Sequence, residues 1–312
     1  MTYLLRPVDR VDVTVLVDNY TDLLMVEQNS LIRRPLLSDG KTLFAEHGLS
    51  FLIRVRSGEK IHTILMDAGT TETAFIENAK TLGIDLDEIS EVVISHGHFD
   101  HIGALFCVLR QSSCRIPVHL HPAAFSVRRK KRPDGTYTTL PSMTADKVTH
   151  AGGILSLSTE PSLIANQKIL LTGEIERITP FEQGSPVLEA REGDSFVKDV
   201  FRDDQALIIH LKDRGLIVIS GCAHAGIINS VRYAQKITGI DTVYAIMGGF
   251  HLSGPYFKNI IPDTILALQE IKPACIIPVH CTGWEAQVSM AQAMPHAFVF
   301  STVGTTFHFG GE

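Results

Sequence analysis

The chain has 312 residues, of which 45% are hydrophobic and 20% are charged, and its formal net charge is −6. This balance is typical of a folded globular protein, and the length allows one large domain or two ordinary ones. The negative charge provides no overall basic field for nucleic acid, and no stretch approaches the roughly 20 apolar residues that span a bilayer, so we expect neither partner.

Short apolar runs rich in β-branched residues recur along the chain and predict strands. They are, in order, 11–17, 50–55, 61–66, 92–95, 116–120, 206–211, 216–220, 243–246 and 274–279. Helical periodicity predicts helices over 71–82, 227–237 and 262–271, and a helix-like stretch over 104–109. These elements predict sheets packed face to face with helices outside, in a single domain over 1–312.

The segment from about 122 to 200 is the least regular, since it is dense in Pro, Gly, Ser, Thr and charge. It is either a cap inserted over the site or a set of long loops. The basic run 128–132 lies inside it. That run is either a solvated loop or helix end, or a rim that attracts an anionic substrate.

The five cysteines, an odd number, are scattered without the spacing of a disulfide framework: Cys107, Cys114, Cys222, Cys275 and Cys281. Such a set in a chain of this size indicates reduced thiols. The first residues also lack the apolar block of a signal peptide. We therefore expect a cytoplasmic protein, and the sequence leaves a homo-oligomer open.

The strongest signal for function is the run 92–103, in which an apolar strand leads into four ligand-type side chains within six residues: His96, His98, Asp100 and His101. Imidazole and carboxylate are ligands that divalent metals such as zinc prefer. His96 and His98 are separated by one residue, so they point to the same side of an extended chain. The sequence therefore predicts a metal site at the end of this strand.

The pattern His-x-His-x-Asp-His after a strand resembles the signature of the metallo-β-lactamase superfamily. The resemblance implies an α/β protein with an αββα sandwich, in which two mixed β-sheets pack together with helices on the outside. It also implies one or two divalent metal ions, zinc first, with iron or manganese as alternatives. Further segments resemble the branch that includes the dihydropterin-linked ribofuranosyl-aminobenzene 5′-phosphate synthases: 45–50, 171–177, 220–227, 248–252 and 278–283.

The resemblance implies further ligands from the second half of the chain, where this sequence departs from the usual pattern. Cys222 stands where most of the superfamily has a bridging aspartate, and no histidine stands at the usual upstream position. His224 is the expected substitute, and His280 is the expected last ligand. The predicted metal ligands form two groups: His96, His98 and His224 for one ion, and Asp100, His101 and His280 around a second.

The remaining candidates have supporting or catalytic roles. Cys222 is either a thiolate ligand or an inert buried thiol, and Asp67 is expected to orient metal ligands by hydrogen bonding. Asp100 is expected to position the attacking water. His251 is expected to contact substrate phosphate or transfer a proton. Glu46 and His47 resemble residues that line the substrate pocket, as does His251.

Two reactions follow from this resemblance. Zinc lowers the pKa of bound water to about 7, which implies hydrolysis of an ester, lactone or phosphoester. The branch instead implies displacement of diphosphate as a pterin methylene carbon joins an aromatic ring. We expect a metal-dependent hydrolase or transferase acting on a small phosphorylated or pterin-like molecule. The alternatives are a lactonase or esterase on a neutral substrate, and a non-catalytic ligand-sensing module.

Overall fold

A mixed β-sheet of eight strands forms one half of the computed structural model, which describes residues 2–38 and 40–311. Four neighbouring strands at one end of this sheet run parallel, and the strands at the other end pair antiparallel. In spatial order the strands are β2 (Ile32–Arg33), β18 (Thr306–Gly310), β1 (Arg10–Val17), β3 (Ser50–Ser57), β4 (Lys60–Met66), β5 (Glu91–Val93), β6 (Ile116–Leu120) and β9 (Gly153–Leu157).

The second large sheet has six strands within the described residues and is also mixed. In spatial order its strands are β10 (Ser162–Ile164), β11 (Ile169–Leu171), β14 (Ala206–Leu211), β15 (Gly215–Ser220), β16 (Val243–Gly249) and β17 (Cys275–Val279). The last three strands are parallel, so their carboxyl ends lie at the same edge.

Seven α-helices lie in the described part of the chain. They are α1 (Glu72–Thr81), α2 (Phe99–Ile102), α3 (Leu105–Gln111), α4 (Ala145–His150), α5 (Ile227–Thr238), α6 (Ile261–Ile271) and α7 (Trp284–Ala293). Each predicted helix and strand coincides with one of the observed elements apart from its end residues. Among the described residues, no helix has the length and apolar character needed to cross a bilayer.

Alternate side chains of the strands serve different cores, as the two-residue period of a strand requires. Phe51 and Ile53 of β3 pack between the two sheets with Ile217 and Ile219 of β15. Leu52, which points the other way, joins the core beneath α1, α3 and α4. Each fully buried aliphatic side chain stabilises the fold by about 1.5–3 kcal/mol. The central core thus draws on both halves of the chain.

The outer face of the second sheet is covered by the remaining long helices. Val218 of β15 packs with Val231 of α5, Leu268 of α6 and Met290 of α7. The layers therefore run helices, sheet, sheet, helices. This is the predicted αββα sandwich.

The irregular segment 122–200 contributes to all three sheets of the structure. It supplies β9, β10 and β11 to the large sheets. Its other strands form a small antiparallel sheet, in spatial order β13 (Ser195–Lys198), β12 (Leu188–Glu192), β7 (Arg128–Lys131) and β8 (Tyr137–Thr139).

The basic run 128–132 is mostly strand β7, so its assignment to a loop or helix end is wrong. Arg128 is only 2% exposed, and its guanidinium bonds Asp199 at 2.6 Å and Asp203 at 2.5 Å. Arg128 does not form an exposed rim, because its side chain is buried and its Nε and Nη2 atoms bond the two carboxylates, while its buried Nη1 has no hydrogen-bond partner among the described residues. Arg129 likewise pairs with Glu189.

Candidate metal centre

The candidate ligands come together because several strands end at one edge of the sandwich. Strands β4 and β5 of the first sheet run parallel, as do β15, β16 and β17 of the second. Loops that follow the carboxyl ends of parallel strands commonly build binding sites in α/β proteins. Four of the predicted metal ligands (His96, His98, His224 and His280) lie in such loops, and the other two, Asp100 and His101, lie in α2, the short helix that follows β5.

Four non-glycine residues in these loops adopt left-handed backbone conformations: Asp67 at φ 59°, Ala223 at 52°, His251 at 49° and His280 at 51°. Such conformations cost about 1–3 kcal/mol each and cluster at functional sites. They turn the chain sharply at each strand end. The side chains that follow can thus face the shared edge.

The first group of histidines forms a tight triangle of ring nitrogens. His96 Nε2 lies 3.0 Å from His98 Nδ1, and His224 Nε2 lies 3.2 Å from each of these atoms. Zinc–nitrogen bonds of about 2.0–2.1 Å in a tetrahedron would separate two ligand nitrogens by roughly 3.3–3.4 Å. Burial, and then neighbouring positive charge, lowers the pKa of all three imidazoles well below the usual range. The three neutral rings therefore have the spacing and protonation state of ligands to a single ion.

Asp67 orients two of the predicted ligands. Its carboxylate accepts hydrogen bonds at 2.7 Å from His101 Nδ1 and from the hydroxyl of Ser95. The Ser95 hydroxyl in turn lies 2.9 Å from His96 Nδ1. With Nδ1 donating in both rings, Nε2 of His96 and His101 is free to bind metal. Ser95 was missed from the sequence, although it directly precedes His96 at the strand end.

The second group surrounds the carboxylate of Asp100. Its Oδ2 lies 3.5 Å from His280 Nε2, 3.9 Å from His101 Nε2 and 3.4 Å from His47 Nε2. Burial alone would raise the pKa of Asp100, but the charges of His101 and His280 lower it overall. The structure thus brings the three predicted residues of the second group together and adds His47.

His101 shows why this region favours a cation. Burial would lower its pKa, but the carboxylates of Asp67 and Asp100 raise it to about 9. In the metal-free protein, the proton on His101 therefore balances the negative charge of the Asp67 and Asp100 carboxylates. A bound metal ion would balance the same charge. The Nε2 atom of His280 has no hydrogen-bond partner among the described residues, although it is buried. Both observations fit a site built for metal.

Cys222 lies between the two groups. Its Sγ is 3.1 Å from His101 Nε2. It also lies within 4.8 Å of ligand atoms in three separate pairs: His96 with His101, His224 with His251, and His280 with Cys281. Burial, and then the nearby Cys281 thiol, raises the pKa of Cys222 well above the usual range. A bound cation reverses this effect because it stabilises the thiolate.

The other predicted residues differ in how closely they approach the centre. The ring of His251 lies 4.2 Å from that of His224 at a tilt of 54°, and its buried Nδ1 has no partner among the described residues. The side chain of His47 is exposed to solvent beside Asp100, and its ring lies 4.9 Å from that of His280. Glu46 is engaged elsewhere, because its carboxylate accepts bonds from the backbone of Thr70 and Thr71 before α1. Helix capping therefore accounts for Glu46 in this structure.

Two buried aspartates hold the ligand-bearing loops in place. Asp203 accepts a 2.8 Å bond from the backbone of Gly97, which lies between His96 and His98. Asp204 accepts a 2.9 Å bond from the backbone of Ala225, directly after His224. Neither aspartate was identified as a site residue from the sequence. Their contacts are long-range in sequence, so no local pattern could have identified them.

The sequence also matches a known family over most of this region. Residues 44–234 match the sequence model described as the Metallo-beta-lactamase superfamily. The chain belongs to the metallo-β-lactamase superfamily. The predictions of the family, of the αββα fold and of an enzyme of this superfamily are thereby confirmed.

Two relatives from Methanocaldococcus jannaschii extend the similarity within the superfamily. The chain is 36% identical over 248 residues to a 7,8-dihydropterin-6-methyl-4-(β-D-ribofuranosyl)-aminobenzene-5′-phosphate synthase, covering 78% of this chain and 83% of that protein. It is 30% identical over 266 residues to an uncharacterised protein, covering 85% and 94%. The crystal structure of Tm1679, a metal-dependent hydrolase of the β-lactamase superfamily, superimposes with a TM-score of 0.73 at 24% identity, covering 96% of this chain and all of that one. The last comparison supports the fold alone.

Proposed function

We propose that this protein is a metal-dependent enzyme acting on a small phosphorylated or pterin-like molecule, by hydrolysis or as a dihydropterin-linked synthase that displaces diphosphate. The observation that carries the metal-dependent part is the triangle of His96, His98 and His224 nitrogens. The similarity to the M. jannaschii synthase supports the substrate class.

The donor set of the chain fits zinc better than magnesium. Three imidazole nitrogens at one position and a cysteine between the two groups are borderline-to-soft donors, whereas magnesium prefers oxygen. We propose that His96, His98 and His224 hold the first ion. Asp100, His101 and His280 would hold a second, with Cys222 as a ligand between them. Iron and manganese remain alternatives because they share the imidazole and carboxylate ligands.

When bound, the metal would polarise a phosphoryl or carbonyl oxygen and make water more acidic. The chain's own residues would perform the remaining work. Asp100, held ionised by its histidine neighbours, would accept a hydrogen bond from the attacking water. His251 places an unpartnered ring nitrogen beside His224, where it could donate to a substrate oxygen. His47 lies beside Asp100 on the solvent-exposed side of the centre and would contact the substrate as it binds there.

The cysteines support a proposed location in a reducing compartment, the cytoplasm. Cys107, Cys114, Cys222, Cys275 and Cys281 are all free in the structure. Oxidation of Cys222 would remove a proposed ligand. A reducing compartment would protect it. The proposed partner is an anionic small molecule.

Metal analysis of the purified protein tests the proposal. Wild-type protein should carry one or two zinc, iron or manganese ions, and His98→Ala should lose most of the metal of the first group. His150→Ala is the matched control, because His150 is exposed at the end of α4 and its ring bonds the carbonyl of Asp146 in the same helix. Wild-type protein that binds no such ion after reconstitution would contradict the metal centre.

Substrate screening separates the reactions. Metal-loaded protein should turn over pterin phosphates or phosphoesters faster than neutral lactones. Release of inorganic phosphate indicates hydrolysis, whereas release of diphosphate from a pterin methyl diphosphate, coupled to formation of a carbon–nitrogen bond with an added aminobenzene, indicates the synthase reaction. Preference for neutral lactones over every phosphate would replace the proposal with the lactonase alternative.

A further inference from the structure

Two cysteines from different strand ends meet beside the candidate metal centre. Cys222 follows β15 and Cys281 follows β17, and the two residues are only 3% and 8% exposed. Their sulfur atoms and an imidazole nitrogen of His280 all lie within 4.8 Å of one another. Donor atoms around a tetrahedral zinc ion, with zinc–sulfur bonds of about 2.3 Å, lie roughly 3.5–3.8 Å apart. The three side chains are therefore close enough to share one ion.

A glycine leaves the space that the second sulfur atom occupies. Gly249 is the last residue of β16, between the loops that carry the two cysteines. A Cβ atom at this position would lie 2.6 Å from Cys281 Sγ and 3.3 Å from the Cα atom of Cys222. A larger residue would displace the sulfur, because only glycine allows so close an approach of the backbone. The backbone here thus accommodates the cysteine pair.

The surroundings of Cys281 suit a thiolate ligand. Its sulfur accepts a hydrogen bond of 3.3 Å from the backbone N–H of His251. As a thiol, it donates to the carbonyl of Cys222 over 3.6 Å. A donor aimed at a ligand atom orients that atom toward the metal and stabilises its negative charge. The backbone of His251 therefore holds the sulfur of Cys281 beside Cys222.

The third donor, His280, has its other ring nitrogen engaged by a neighbour. Its Nδ1 lies 3.2 Å from Asn19 Oδ1, and the side chain of Asn19 also donates to the carbonyl of His280 at 2.9 Å. A proton on Nδ1 leaves the lone pair of Nε2 for a metal. Nε2 is buried and has no hydrogen-bond partner among the described residues. A buried atom of this kind is satisfied by an ion that binds among its ligands.

We propose that Cys281 is a ligand of the second ion together with Cys222 and His280, so that this position holds its ion through two thiolates. The inference rests on the proposed function, in which Cys222 is the sulfur ligand, and it adds a second sulfur. Binding releases the two thiol protons to solvent as the two metal–sulfur bonds form. Two thiolates favour zinc over manganese at this position, since manganese prefers oxygen ligands.

Cobalt substitution tests the assignment, because cobalt–thiolate bonds absorb in the near ultraviolet by charge transfer. Cobalt added to metal-free wild-type protein, with a non-thiol reductant present, should produce this absorption. Cys281→Ser should lose roughly a third to a half of the absorption per bound cobalt, because one of two or three cobalt–sulfur bonds disappears. Cys222→Ser combined with Cys281→Ser should lose all of it.

Cys107→Ser is the matched control. Cys107 is also 8% exposed, but its sulfur accepts a hydrogen bond from Gln111 in the same helix, α3. This substitution should leave the absorption unchanged. Cadmium NMR of wild-type protein adds a measurement that does not depend on the folding of a variant. Each thiolate ligand moves the cadmium resonance downfield, so one resonance should lie in the range of ions with two sulfur ligands.

The outcomes separate this inference from the proposed function. Unchanged absorption per cobalt in folded Cys281→Ser, or no two-sulfur resonance from cadmium-loaded wild type, would overturn the role of Cys281 and leave the metal-dependent function standing. If both signals appear but the zinc-loaded protein turns over neither phosphoesters nor pterin phosphates, the two-thiolate site stands and the proposed function fails. Wild-type protein that binds no metal would overturn both.

Discussion

Asp203→Ala should destabilise the fold strongly even though Asp203 does not face the metal. Asp203 is completely buried, accepts a hydrogen bond from Gly97 and pairs with Arg128 at 2.5 Å. Breaking a buried ion pair by removing one partner typically costs about 3–5 kcal/mol, because the other charge stays buried. Arg128 would retain Asp199, which lowers the cost, but the N–H of Gly97 would lose its acceptor, which adds about 1–3 kcal/mol. We expect a loss of about 3–5 kcal/mol.

The adjacent ion pair provides a matched control. Arg129 neighbours Arg128 on β7 and pairs with Glu189. In this pair the side chain of Arg129 is 28% exposed and that of Glu189 is 23% exposed. Arg129 also stacks on Tyr137 at 3.7 Å, so it keeps a contact when the carboxylate is removed. Exposed ion pairs contribute about 0–1 kcal/mol. Glu189→Ala should therefore cost less than about 1 kcal/mol.

Urea unfolding of metal-free protein measures both changes. A chelator is needed, because bound metal would add its own stabilisation to the folded state. Arg128→Met combined with Asp203→Ala tests the coupling, and the double variant should be less destabilised than the sum of the single variants. A loss below about 1 kcal/mol for Asp203→Ala, or one equal to that of Glu189→Ala, would refute the reasoning from burial.

Two further predictions concern a buried amide and the cysteines. Asn78 is completely buried and bonds the carbonyls of Leu16 and Phe44, so Asn78→Ala should lower the free energy of unfolding by about 2–4 kcal/mol in urea. The exposed Lys80→Ala should change it by less than about 0.5 kcal/mol, and equal effects would contradict the prediction. Burial raises the pKa of Cys275 to about 12, so a thiol reagent at neutral pH should label exposed Cys114 quickly and Cys275 only after unfolding. Mass spectrometry would show the sites, and rapid labelling of Cys275 in folded protein would be the contrary result.

Local patterns in the sequence predicted nine of the strands, four of the helices and four of the six proposed histidine and aspartate ligands, but not the strands of the small third sheet. β-Branched runs such as 50–55 predict strands because the two-residue period places alternate side chains in two cores, as Phe51 and Leu52 show. His96, His98, Asp100 and His101 were identifiable because six residues bring them together, and neighbours in sequence are neighbours in space.

The meeting of the remaining two histidine ligands with the first four ligands depended on the tertiary structure. His224 and His280 meet the first motif only because β15 and β17 end at the same edge of the sandwich as β5. The third sheet and the burial of Arg128 against Asp203 likewise depend on pairing between distant strands. A sequence pattern reports the period of one segment, whereas strand register and sheet packing decide which segments meet. For this reason the basic run resembled a solvated surface, and Ser95 and Asp203 carried no recognisable signal.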